Sequence, residues 1–275
     1  FPDTGEWNQY VRVHTVDNPP ATNVLPSKIG LPTVPSTCEE IEGVREWPTG
    51  LELWSLMRQE MGDHGIVGMP SGASTLLLSG PDDIYEYHDH PQRFYEKREK
   101  MIERVERRMK RIAKLDIKPD FLLCGGSGSL VWQSPTIFRE LALPVLRRVT
   151  QLAAELGIPT HVHSCGPETE LVKMAALETD LTVIDPLEVP PMGDCDLAEL
   201  KRLYGQQIVL KGNLHTTRVM LHGTTDDVRA ASRKAIDDAA KGGGFILSTG
   251  DQCGRDTPDE NLYAMVETAR TYGRY

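Results

Sequence analysis

The chain has 275 residues, of which 39% are hydrophobic and 25% charged, and a formal net charge of −10. That length suits one large domain or two small ones, and the composition suits a globular protein. The acidic balance argues against a basic face for nucleic acid or an anionic membrane surface, and no apolar run reaches the roughly 20 residues of a membrane span.

The cysteines are Cys38, Cys124, Cys165, Cys195 and Cys253. An odd number spread thinly through a chain of this size is not a disulfide framework. Without a visible secretory leader, the expected setting is a reducing cytoplasm, where thiols stay free for metals or chemistry.

In chain order, residues 1–60 read as irregular, punctuated by Pro20, Pro26, Pro32 and Pro35, with a short strand within GEWNQYVRVHTV (5–16). GIVGMP (65–70) is a short apolar run. A long charged helix is expected over 91–114, with Phe94, Ile102, Val105, Met109 and Ile112 at helical spacing. DFLLCGG (120–126) then reads as a strand and 134–157 as a helix. Ser134 is its expected N-cap, Pro135 its first-turn residue and Gly157 the residue just past its end.

The rhythm continues to the end. Strands are expected at 158–166, 181–188, 207–213 and 244–251. Helices are expected at 167–178, 195–205, 224–243 and 256–273, the last capped by Thr257. Strands alternating with helices imply a parallel sheet covered by helices. Polar residues gather where the strands end, as in a TIM-type (β/α)8 barrel. About six βα units are legible where a full barrel has eight. The others are expected upstream of Phe1 or as unusual strands in the N-terminal region, all within one barrel domain over 1–275. GGSGS (125–129) is too loose to count as a dinucleotide fingerprint.

HVHSCG (161–166) carries the most chemistry. Side chains alternate faces along a strand, so His161, His163 and Cys165 share one face and Val162 and Ser164 the other. His163 and Cys165 are expected at the barrel mouth, with His161 one layer deeper. Imidazole nitrogen and thiolate sulfur at such positions can reach one zinc ion. A catalytic zinc needs a third protein ligand. Asp251 and Cys253 are the candidates, with Glu188 and Asp185 weaker ones. The competing reading is a histidine bonded to a carbonyl beside a small buried cysteine. Cys124 is expected to pack in the core, and Cys195 to open a surface helix. His88 and His90 are expected at the surface, with Asp89 between them keeping open a weak second metal site.

Several blocks together resemble the uroporphyrinogen decarboxylase superfamily: DFLLCGGSGSLVWQSPTIFRELALPVLRRV, GIPTHVHSCG, LTVIDPLE, IVLKGNL and GGFILSTGDQCGRDTPDENLYAMVETARTYG. The resemblance runs from about Asp120 to the end, with a weaker extension to PSGASTLLLSG (70–80). It implies a TIM-type barrel. The superfamily's decarboxylases work without metal, through an arginine-bearing N-terminal segment and a G-H-G near the C-terminus. This chain has no matching arginine segment, and Gly250–Asp251–Gln252 stands at the G-H-G position. The zinc-dependent, corrinoid-linked methyltransferases instead show H-x-C and a later Cys. The first part matches His163 and Cys165. Asp251 stands where the later Cys would be, and Cys253 is two residues on.

The resemblance therefore implies a zinc-dependent methyltransferase. It would move a methyl group between a methylcobalamin-type corrinoid, carried by a partner protein, and a small thiol or hydroxyl substrate that is methyl donor or acceptor. Glu188, His215 and Asn213 are candidates to position substrate or carry a proton, against a plain reading as rim hydrogen-bonders. A homodimer is compatible with the resemblance. The alternatives are a cofactor-independent lyase acting on a small carboxylic acid or a porphyrinogen, and a non-catalytic barrel that binds a ligand.

Overall fold

Short stretches, most of them carrying Val, Ile or Leu, form six parallel strands that pair in sequence order. They are β1 (Gly68–Pro70), β2 (Phe121–Leu123), β3 (Thr160–His163), β4 (Val183–Asp185), β5 (Val209–Leu214) and β6 (Phe245–Thr249). The computed structural model describes residues 51–78 and 80–274. Gly50–Tyr275 forms one compact unit. The short strand expected within 5–16, and Cys38, lie outside the described residues.

Each strand is followed by helix, which makes the described sheet part of a TIM-type barrel. Leu122, Val162, Ile184 and Leu210 repeat on one face of neighbouring strands and are fully buried. They belong to one core with Phe138, Leu146, Leu171 and Met174 of the covering helices. Burial of each such side chain stabilises by about 1.5–3 kcal/mol. Alternate positions, among them His161, His163, Lys211 and Asn213, are only partly buried and face the other way. The pleat therefore segregates an apolar outer layer from a polar inner one.

The expected helix start and stop signals are visible at 134–157. The Ser134 hydroxyl accepts the Ile137 N–H at 3.2 Å, Pro135 opens the helix, and Gly157 has φ +67° just past its end. The stretch is nevertheless two helices, Pro135–Leu141 and Leu143–Glu155, joined at Ala142. Pro144 explains the break, since it lacks an N–H and its ring crowds the preceding turn. The long charged helix spans Pro91–Ile112, with Phe94, Val105, Met109 and Ile112 buried.

Three local expectations are corrected, and one helix is added. Residues 51–60 are not irregular but lie in a helix, Leu51–Met61. Thr257 does not cap the last helix. Pro258 stands at the cap, and Thr257 is buried with its hydroxyl unpartnered. Cys195 does not open a surface helix. It is buried, and the helix Leu197–Tyr204 is capped by Asp196, whose side chain accepts the Glu199 N–H at 3.0 Å. A further helix, Pro81–Asp89, has the proline start and acidic first turn that mark a helix N-terminus. No helix among the described residues is long and apolar enough to cross a membrane.

Candidate metal centre

The C-terminal ends of β3 and β6 bring three side chains together. His163 is the last residue of β3, and Cys165 follows two positions on. Cys165 Sγ lies 3.3 Å from His163 Nε2, and Asp251 Oδ1 lies 3.7 Å from the same nitrogen. One ligand atom from each of His163, Cys165 and Asp251 lies within 4.8 Å of the others. Bonds of about 2.0–2.3 Å meeting at the tetrahedral angle put donor atoms roughly 3.3–3.6 Å apart, so spacings of 3.3 and 3.7 Å lie close to what one zinc ion requires. One nitrogen, one sulfur and one carboxylate oxygen also form a donor set that zinc accepts.

Val162 and Ser164 take the opposite face, as the alternation requires. Val162 is in the core, and the Ser164 hydroxyl accepts the Ser129 N–H at 3.1 Å. Gly166 follows Cys165 at φ +94°, a left-handed turn that a side chain would strain. Its N–H donates to Glu188 Oε2 at 2.6 Å. That bond ties the Cys165 loop to the loop after β4.

Asp251 joins the cluster and Cys253 does not. β6 stops at Thr249, so strand alternation no longer governs the next residues. The Thr249 hydroxyl donates to the Asp251 carbonyl at 2.7 Å, and Asp251 adopts φ +142°. The chain turns there, and Cys253 packs against the hydrophobic core. Asp251 and Leu187 (φ +58°) are the positive-φ residues other than glycine among those described, and both lie in loops of the site.

Asp185 is not part of the triad. Its Oδ1 accepts His161 Nε2 at 2.8 Å and His163 Nδ1 at 3.1 Å, and Lys211 Nζ donates to Oδ2. Burial opposes the charge on Asp185. The hydrogen bonds from His161, His163 and Lys211 outweigh it and hold the carboxyl well below the usual range. His163 is in turn raised, chiefly by its bond to Asp185, against the opposing effect of burial. The Cys165 thiol is pushed up to about 11 by burial, with Asp251 and Glu188 adding and a hydrogen bond from Ser127 opposing. With no cation beside it, that thiol keeps its proton near neutral pH. A divalent ion favours the thiolate.

Glu188, Asn213 and His215 line one small concavity with Gly250, beside the triad residue Asp251. Asn213 and His215 also border a neighbouring cavity of about 300 Å³. His215 Nδ1 accepts the N–H groups of Thr217 and Arg218 at 3.2 and 3.3 Å, capping a π-helical turn at Thr216–Leu221. His215 Nε2 is buried without a partner. Cys124 is buried in the core as expected. His88 is exposed, with Nδ1 3.2 Å from Asp89. His88, Asp89 and His90 form no three-residue metal group among the described residues.

Sequence reasoning passed over Ser127, Lys211 and Glu168. Lys211 had a usable signal: it shares the inner face of β5 with Asn213, and β4 pairs directly with β5. Glu168 is fully buried, and its Oε2 accepts the Leu187 N–H at 2.6 Å. No spacing rule announces it.

A partial parallel α/β barrel with a nitrogen–sulfur–oxygen donor set at its strand ends defines the class: a barrel protein with a candidate metal centre at the C-terminal end of the sheet. Residues 129–272, just over half of the chain, match the family model "Uroporphyrinogen decarboxylase (URO-D)", and the chain belongs to that family. Among relatives, the methylcobamide:CoM methyltransferase MtbA of Methanosarcina mazei is 29% identical over 163 residues, covering 58% of this chain and 42% of the relative. A uroporphyrinogen decarboxylase of Azoarcus sp. (strain BH72) is 26% identical over 141 residues, covering 50% of this chain and 37% of the relative. These alignments span less than half the length of either relative. A solved structure described as a methyltransferase from Methanosarcina mazei superposes with a TM-score of 0.58 at 17% identity, covering 82% of this chain and 64% of that one. It shares the fold.

Proposed function

We propose that the chain carries the metal centre of a zinc-dependent methyltransferase. The enzyme moves a methyl group between a corrinoid on a partner protein and a small thiol or hydroxyl substrate. The observation that carries this reading is the convergence of His163 Nε2, Cys165 Sγ and Asp251 Oδ1 at spacings suited to one tetrahedral ion. The Methanosarcina mazei relative, a methylcobamide:CoM methyltransferase, supports the methyl-transfer half of the reading.

His163, Cys165 and Asp251 would hold the ion and leave a fourth position for substrate. When bound, zinc supplies Lewis acidity that lowers the pKa of a substrate thiol or hydroxyl. The remaining work falls to the chain itself. Ser127 Oγ, 2.7 Å from Cys165 Sγ, is placed to donate to the thiolate and favour it over the thiol. Asn213, on the rim of a small concavity it shares with Glu188, orients substrate from beside the ion. Glu188 takes the substrate proton, with one oxygen already engaged by Gly166 N–H. His215 holds the rim, since its Nδ1 is committed to the π-helical turn.

Purified protein is expected to hold about one zinc per chain, and chelation is expected to stop methyl transfer from methylcobalamin to a small thiol. Full activity in protein freed of divalent metal would sink the proposal. The decarboxylase relatives motivate a second reading, a metal-independent lyase. Carbon dioxide release that is indifferent to chelators selects it.

A further inference from the structure

Asp185 is 6% exposed and contacts none of the open concavity, yet it accepts three hydrogen bonds from the two flanking strands. His161 Nε2 and His163 Nδ1 from β3 both point at Oδ1, at 2.8 and 3.1 Å. Lys211 from β5 takes Oδ2. We infer that Asp185 is a positioning residue for the metal centre: it fixes the ring and tautomer of His163 so that Nε2 faces the ion. The inference rests on the zinc reading above and goes beyond the ligand set.

A carboxylate can only accept hydrogen bonds, so the nitrogen it faces must carry the proton. A neutral imidazole has one N–H. Placing it on Nδ1 of His163 leaves the Nε2 lone pair directed at the space shared with Cys165 Sγ and Asp251 Oδ1. Metal-bound histidines commonly donate their other N–H to a carboxylate in this way, which raises their basicity and fixes their orientation. His161 has the opposite arrangement. Its Nε2 is spent on Asp185, so that nitrogen cannot serve the ion although it comes from the same strand face.

Lys211 completes the device. A lone buried carboxylate is costly, and the ammonium on its second oxygen balances the charge. Asp185 and Lys211 thus sum to zero. A dication with Cys165 thiolate and Asp251 carboxylate sums to zero as well. The carboxylate can orient His163 without adding net charge to the site.

The test compares wild-type protein with Asp185→Asn and Asp185→Ala, reading zinc affinity by competition with a chromophoric chelator and the visible spectrum of the cobalt(II) form. Affinity is expected to fall in the order wild type, Asn, Ala, by about 10–100-fold for Ala, with a changed cobalt spectrum. Because removing Asp185 strands Lys211, the Asp185→Asn/Lys211→Met double variant is measured beside them and carries the same expectation. Nitrogen-15 NMR of metal-free wild type needs no variant, and is expected to find the His163 proton on Nδ1 at a pH where the ring is neutral. A proton chiefly on Nε2, or an unchanged zinc affinity and cobalt spectrum in folded variants, overturns the inference and leaves the zinc reading standing. Wild type that takes up no divalent ion overturns both.

Discussion

Ser127 Oγ lies 2.7 Å from Cys165 Sγ. The glycine-rich turn after β2 therefore delivers a hydroxyl to the sulfur of the donor set. A hydroxyl that donates to a thiolate stabilises the charged form. Ser127→Ala is expected to raise the Cys165 pKa above its value of about 11 in metal-free protein. Alkylation by iodoacetamide at a fixed pH below that value should slow by roughly threefold to tenfold, the equivalent of one ordinary net hydrogen bond of about 0.5–1.5 kcal/mol. An unchanged alkylation profile would remove Ser127 from the site.

Asp251 carries two properties that a pair of substitutions separates. Its φ of +142° suits glycine, and its carboxylate lies 3.7 Å from His163 Nε2. A residue with a Cβ in such a region costs about 1–3 kcal/mol. Asp251→Ala keeps that cost and loses the carboxylate. Asp251→Gly relieves it and also loses the carboxylate. Both variants are expected to lose bound zinc, with Asp251→Gly the more stable of the two by about 1 kcal/mol in urea unfolding. The reverse stability order would mean the turn is not strained at Asp251.

The sheet is legible because most of its strands are short runs that carry Val, Ile or Leu, set between helix signals. FLL, THVH and VID lie within the stretches that the alternation marks as strands. The break at Ala142 was less visible, because proline is welcome in a first turn and forbidden mid-helix, and the sequence offers both readings for Pro144. Within the site, alternation placed His163 and Cys165 on one face. The choice between Asp251 and Cys253 depended on a turn beyond the end of β6, where no period applies. Asp185 was weighed as a ligand because it ends a strand. Its pairing with His163 across β3 and β4 depends on a register that emerges only once the strands are side by side.

Glu168 links pH to stability. Burial pushes its carboxyl well above the usual value of 4.5, against the bond from Leu187 N–H. The folded state then binds the proton more tightly than the unfolded chain does. Stability contributed at this position is full below about 4.5 and declines as pH rises from there toward the folded pKa. Glu168→Gln keeps an acceptor for Leu187 N–H and cannot ionise. The difference in urea midpoint between the variant and wild type is expected to grow in favour of Gln between about pH 5 and about pH 8. Parallel curves would mean that Glu168 titrates alike in both states.

Cys253 and Asp251 stand two residues apart, and metal analysis distinguishes them. Cys253 packs against the core, outside the group formed by His163, Cys165 and Asp251. Cys253→Ala is expected to keep its zinc. Its cost is that of trimming a partly buried side chain, about 1 kcal/mol or less. Cys165→Ala removes a donor atom and is expected to lose most of the zinc while the barrel stays folded, since Cys165 lies outside the apolar core cluster. Zinc content by elemental analysis, beside a thermal melt for each variant, reads both outcomes. Zinc retained in Cys165→Ala but lost in Cys253→Ala would move the centre away from the strand-end triad and with it the geometry on which the methyl-transfer reading stands.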